Sequence, residues 1–209
     1  MNSPSNMGRR ESIPPQRGVG PATARNQRAW RPAPRDTVTV LLRRAVPGDE
    51  DAVARVHVRS WQVAYRGLLP DEYLDRLEPA DRAARYTFAE DGPGFPHTTV
   101  AVGDDGICGF TTTGPCRDPD KKGVGELYAI YVQPDWWDRG IGRTLIADVR
   151  RRFAEQRFSE AVLWVLRGNQ RAERFYRIDG WEPDGHRRLQ DLHGITIDEV
   201  RYTRSPIRS

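Results

Sequence analysis

Two linked segments constrain this chain more than anything else in it: Glu126-Leu127-Tyr128-Ala129-Ile130-Tyr131-Val132, and the Gly140-Ile141-Gly142-Arg143 turn that begins eight residues after Val132. The first is rich in aromatic and aliphatic side chains and reads as a strand that Pro134 ends. The second lets the backbone turn tightly into a helix from about Gly142 to Arg157, with Leu145, Ile146, Val149 and Phe153 on one face and Arg150, Arg151 and Arg152 mostly off it. A helix entered in this way leaves its first amides without intrahelical partners, and such amides suit a pyrophosphate. Arg139 and Arg143 flank the turn and can add charge-assisted hydrogen bonds.

Two familiar phosphate motifs do not fit. No Gly-Lys-Ser/Thr follows, so this is not a Walker A loop. Leu145 stands where a dinucleotide fingerprint would have its third glycine, and the motif comes late in the chain. Taken alone, a Gly-x-Gly turn before a helix is also ordinary turn chemistry.

The surrounding pattern supplies the context. Thr37 to Arg44 reads as a first strand, Glu50 to Tyr65 as a helix with Val53, Val56, Trp61 and Ala64 inward, and Asp71 to Glu90 as a second helical region. Thr98–Val102 and Ile107–Thr113, joined at Asp104-Asp105-Gly106, form a hairpin. After a polar loop from Pro115 to Gly123 and the segments above, Ala161–Leu166 is apolar throughout, as a strand buried on both faces should be. Asn169 caps a short helix that Gly180 closes, Trp181 folds back on its last turn, and strands at Arg187–Leu192 and Ile195–Thr203 finish the chain. The expected fold is α/β in the order βααβββαβαββ, a mixed sheet with helices on both faces.

Charge separates a tail from the rest. Residues 1–35 hold seven arginines against Glu11 and carry +6, which leaves −2 for the other 174 residues of a chain with net charge +4. Six prolines and few large apolar groups predict a disordered segment there, followed by a folded domain over 36–209. The tail reads as solvated or as an arm for an acidic partner; with no aromatic interleaving and no recognition helix, nucleic acid is not expected. No apolar stretch approaches the roughly 20 residues of a membrane span, and the start lacks a secretory signal's apolar core, so the expectation is a soluble, cytoplasmic protein, monomer or homodimer. Cys108 and Cys116 read as free thiols, and with His57, His97, His186 and His193 scattered, no metal site is expected.

From about Thr37 to Arg204 the sequence resembles the GNAT N-acetyltransferases. The strand at 126–132, the Arg139-Gly140-Ile141-Gly142 turn, the next buried strand, Asn169-Gln170-Arg171-Ala172-Glu173-Arg174-Phe175-Tyr176 and Gly180-Trp181 match that family's acetyl-CoA-binding half in order and spacing. One departure is Trp137, where the family usually has Gln or Arg. The resemblance implies a splayed central pair of parallel strands, with the backbone of Ile130, Tyr131 and Val132 along the acetyl and pantetheine portions of acetyl-CoA. It places the pyrophosphate on the amides from Arg139 through Gly140, Ile141, Gly142 and Arg143 to Thr144, Asn169 beside the pantetheine arm, and Tyr176 near the thioester sulfur.

The reaction it implies needs a base for the attacking amine, a donor for the developing oxyanion and an acid for the departing thiolate. A phenol with an ordinary pKa near 10 can protonate a thiolate whose conjugate acid lies near 8.5, and Tyr176 matches the family tyrosine for that role. Glu126 matches the catalytic glutamate of histone-type members and is the candidate base, directly or through water. Trp61 and Tyr65, one helical turn apart, are candidates to face a small-molecule or peptide amine, with Asp71, Glu72 and Asp75 available to attract a cation; Trp61 as core and the acids as a solvated face is the competing reading. The rival to an enzyme acting in a ternary complex is a non-catalytic acyl-CoA-binding module, or a protein that uses its arginine-rich tail to bind a partner.

Overall fold

A computed structural model describes residues 39–207, except Asp91, Pro93 and His193. The expected disorder of residues 1–35, any binding role for that segment, and the start of the first strand at Thr37 lie outside the described residues. Seven strands form one mixed sheet in the order β1-β2-β3-β4-β5-β7-β6: β1 (Leu41–Arg44), β2 (His97–Gly103), β3 (Gly106–Pro115), β4 (Gly125–Val132), β5 (Ala161–Leu166), β6 (Glu182–Leu192) and β7 (Ile195–Arg204). Only β4 and β5 are parallel.

Alternation along the strands sends side chains to two faces. On one, Val53 and Val56 of α1 (Glu50–Ala64) pack with Val100, Phe110, Ala129 and Tyr131. On the other, Ile141 and Leu145 of α4 (Ile141–Glu155) meet Ala101, Cys108, Ile130 and Val132. Farther along the same helix, Ile146, Val149 and Phe153 join Leu127, Leu163, Trp181 and Tyr202. Cys108 is buried, Cys116 half-buried, and both are free thiols.

The helical region expected over Asp71–Glu90 is two short helices, α2 (Asp71–Asp75) and α3 (Pro79–Ala83). Proline explains the break. Glu78, which precedes Pro79, is extended at φ −109° and ψ 132°, the conformation that a following proline ring imposes, and Pro79 then opens α3 where its missing N–H is harmless. After α5 (Gln170–Ile178), Gly180 sits at φ +83° and Trp181 donates its amide to the Tyr176 carbonyl at 3.0 Å, the hydrogen bond that folds a chain back over a helix end. β6 starts earlier than expected, at Glu182, with a register shift between Pro183 and Arg187.

His97 on β2 records the burial of the sheet. Loss of solvent, then the charges of Arg152 and Arg44, lower its pKa from 6.5 to about 4. The unfolded chain therefore takes up a proton between those values that the folded chain refuses, so stability falls as pH drops through this window. His57, lowered mainly by burial, acts in the same sense. His97→Gln is expected to lose less thermal stability than the parent between pH 6.5 and pH 4; equal losses in scanning calorimetry would remove His97 from this account.

Candidate active site

The ladder between β4 and β5 covers only Gly125, Glu126 and Leu127 against Ala161, Val162 and Leu163. It stops where β4 bulges. In its pairing with β3, Leu127 lies opposite Thr113 and Ala129 opposite Thr112, which leaves Tyr128 as the extra residue. A bulge bends and twists its own strand. From Tyr128 to Val132, β4 therefore stays with β3 while β5 continues beside β7 to Leu166, and a wedge opens between the two parallel strands.

The wedge is the main part of a cleft of about 880 Å3, within the size range of small-molecule sites. Of the expected residues, Glu126, Ile130, Tyr131, Val132, Gly140, Gly142, Arg143, Asn169, Tyr176, Trp61 and Tyr65 line it. Arg139, Ile141 and Thr144 do not. The Arg139 guanidinium lies 5.2 Å from the ring of Trp136, which lines the cleft; the Ile141 side chain is buried in the core; the Thr144 amide donates to the Gly140 carbonyl at 3.1 Å. At the start of α4, Gly140 takes φ +87° to aim the chain into the helix. A Cβ on Gly142 would lie 3.4 Å from the Phe175 ring, so this stretch of the cleft wall is bare backbone.

Trp137, the departure from the family pattern, has its own function in the fold. Its Nε1–H donates to the Val132 carbonyl at 2.6 Å, an oxygen that also accepts from the Ser60 hydroxyl at 3.1 Å. The indole thereby fastens the connection to the end of β4. The Arg171 guanidinium lies 4.2 Å from its ring and pairs with Asp138 at 3.0 Å, so a cation reaches this end of the cleft from α5 instead.

Asn169 uses its Oδ1 to cap α5, accepting from the Ala172 amide at 3.1 Å, and its amide nitrogen is the part left to face the cleft. Tyr176 projects from that helix into a shell of aromatic rings, 5.4 Å from Phe175 and 6.3 Å from Tyr202 by ring centroids. Burial, with Tyr131 nearby, pushes its phenol far above the ordinary value, so the hydroxyl stays protonated.

Glu126 is buried, and Arg117 holds it: the backbone N–H of Arg117 donates to Oε2 at 2.9 Å and Nη2 to Oε1 at 2.6 Å. Arg117 also lies 4.0 Å over the Tyr128 ring. The loop that carries it is moored by buried Arg201, which pairs with Asp118 at 3.0 Å, Asp120 at 2.8 Å and Asp184 at 2.7 Å. No local pattern in the sequence announces this arrangement, because Arg201 meets Asp118 and Asp120 across more than 80 residues.

The acids expected to draw in a cation are engaged elsewhere: Arg66 pairs with both Asp71 and Asp75, all three are exposed, and neither they nor Glu72 lines the cleft. Besides Glu126, the acids that line it are Asp138, paired with Arg171, and Glu199 of β7, opposite Leu166 and bonded to Arg188 at 2.7 Å. Burial chiefly raises the pKa of Tyr65 and Tyr131, and the charge of Glu199 adds to it for both. Trp61 and Tyr65, 5.0 Å apart by ring centroids, pack on the Leu69–Leu74 cluster and also line the cleft, so Trp61 is at once partly core and partly wall.

Among the described residues no helix is long and apolar enough to cross a membrane, and no group of three or more His, Cys, Asp or Glu is placed to hold a metal. Residues 57–181 match the model of a family described as the Acetyltransferase (GNAT) family. An uncharacterized N-acetyltransferase of Bacillus subtilis, YuaI, is 30% identical over 131 residues, which are 62% of this chain and 73% of the relative. One from Archaeoglobus fulgidus is 33% identical over 137 residues, 65% of this chain and 88% of the relative. The fold is shared with the PaiA N-acetyltransferase of Thermoplasma acidophilum, whose crystal structure is in complex with coenzyme A: TM-score 0.58 and 19% identity over 80% of this chain and 99% of that one. With a wedge between parallel strands, a tyrosine at its side and open helix amides at its end, the chain belongs to the GNAT acetyltransferase family and is an acyltransferase.

Proposed function

We propose that the protein is an acetyl-CoA-dependent N-acetyltransferase that passes the acetyl group to a primary amine by direct attack in a ternary complex. The observation that carries this is the wedge, because β4 beyond Leu127 faces the cleft without a partner strand on that side. Backbone groups of Ile130 and Tyr131 pair with the pantetheine amides in the manner of a missing strand; at Val132 the carbonyl is already taken by Trp137 and Ser60. The amides at the start of α4 and the Arg143 guanidinium take the pyrophosphate, and Asn169 steadies the pantetheine arm.

Within that frame the chain's own groups divide the chemistry. Tyr176 gives a hydrogen bond, and a proton, to the sulfur that departs. Glu126 draws the ammonium form of the acceptor and takes its proton through water, while Arg117 keeps the carboxylate oriented. An aminoglycoside N(6')-acetyltransferase of Stenotrophomonas maltophilia, 32% identical over 109 residues (52% of this chain, 64% of the relative), supports a small-molecule amine as acceptor.

Calorimetric titration with coenzyme A at neutral pH tests the frame, since absence of heat would overturn it. Glu126→Gln tests the base. Turnover at neutral pH is expected to fall about a hundredfold, and the deficit should shrink as rising pH delivers the amine already deprotonated. A deficit independent of pH would take the base role from Glu126.

A further inference from the structure

A second cavity, of about 360 Å3, is lined by His57, Val58 and Trp61 of α1, by Tyr73, Leu77 and Arg82 of the α2–α3 region, and by Leu192 at the end of β6. It shares Trp61 with the large cleft. His57 in its wall lies 4.6 Å, ring to ring, from Tyr131, which lines the cleft. One layer of aromatic side chains therefore stands between the two spaces.

Arg82 is the half-buried arginine of this lining, Arg76 and Arg85 being exposed. Arg66, Arg117 and Arg188 each have a carboxylate partner: Arg66 has Asp71 and Asp75, Arg117 has Glu126, Arg188 has Glu199. Half-buried Arg82 has instead a tyrosine. Its Nε lies 3.5 Å from the Tyr86 hydroxyl and its Cζ 5.4 Å from the ring, and that hydroxyl lies 2.7 Å from His57 Nδ1. No carboxylate of the described residues comes within 4.0 Å of it. Glu78 and Asp81 on the rim are exposed and solvated, so water screens their charge, and Arg76 and Arg85 add positive charge at the mouth. Burial dominates the pKa shifts of His57, Tyr73, Tyr86 and Tyr131, yet the charge of Arg82 acts on all four, as a cation near the centre of this wall would.

A half-buried guanidinium without an anion, among neutral rings, is matched by a planar carboxylate that its fork can hold at two points. We propose that this cavity receives the carboxylate of an acceptor whose amine lies several carbons away, that Arg82 recognises that carboxylate, and that the carbon chain carries the amine past Trp61 into the cleft. The inference rests on the N-acetyltransferase reading and narrows its substrate class to a small amine bearing a carboxylate.

The test has two stages. Coenzyme A titration comes first, and its failure would end the parent reading rather than this one alone. With the coenzyme A-loaded protein, ω-amino acids such as 6-aminohexanoate, their carboxamides and phosphoethanolamine are compared for binding by calorimetry, and for acetyl transfer with acetyl-CoA. The ω-amino acids are expected to bind, and to exceed the carboxamides about tenfold or more in kcat/KM. Arg82→Gln should raise their KM by a similar factor with little change in kcat or in affinity for coenzyme A, and Arg82→Lys should recover part of the loss. Four outcomes would overturn the proposal: no ω-amino acid binding, carboxamides equal to the acids, phosphoethanolamine preferred, or KM unchanged in Arg82→Gln.

Discussion

Gly142→Leu is expected to abolish coenzyme A binding while the protein stays folded. The position is in the first turn of α4 and borders the cleft, and a Cβ there already comes within 3.4 Å of the Phe175 ring. The remaining carbons of a leucine must enter the space in front of the unpaired amides, where a phosphate would need to approach within hydrogen-bond distance. Leucine also favours a helix over glycine, so the loss would not come from melting α4. In calorimetry the heat of coenzyme A binding should vanish, a loss of at least about a hundredfold in affinity. Gly142→Ala, which adds only the tolerated Cβ, should keep much of it. Full affinity in the leucine variant would move the phosphates elsewhere.

Tyr176→Phe is expected to lower turnover about a hundredfold, within the range for loss of one positioned proton donor, with KM for acetyl-CoA changed by no more than about twofold. The side chain is 7% exposed and packs among Phe175, Trp181 and Tyr202, contacts that a phenylalanine ring keeps. What is lost is the hydroxyl alone. Because burial holds that phenol protonated well above its ordinary range, the parent's pH profile should show no fall from its ionisation in neutral to mildly alkaline solution. Unchanged turnover would take Tyr176 out of the mechanism, and a matching rise in KM would make its role one of binding.

Local rules served best where one element's own residues settle its form. The strand at 125–132, the α4 and α5 helices, the Asn169 cap and the Gly180–Trp181 reversal were all legible from side-chain period, capping chemistry and a glycine at positive φ. The same rules ran two helices together across Asp71–Glu90, because helix-forming residues continue through a stretch where Pro79 dictates the backbone of Glu78.

The amino-acid order by itself determined that a strand, a glycine turn and a helix follow one another near the middle of the chain, and that Tyr176 rides on a later helix. Those facts depend on residues within a few positions of each other. Only the tertiary structure decided that β4 bulges at Tyr128 and parts from β5, that Arg117 grips Glu126 under the hold of Arg201, and that Glu199 and Arg82 face the two cavities. Each is a meeting of distant segments, whose position is settled by packing and ion pairing after the chain has closed on itself.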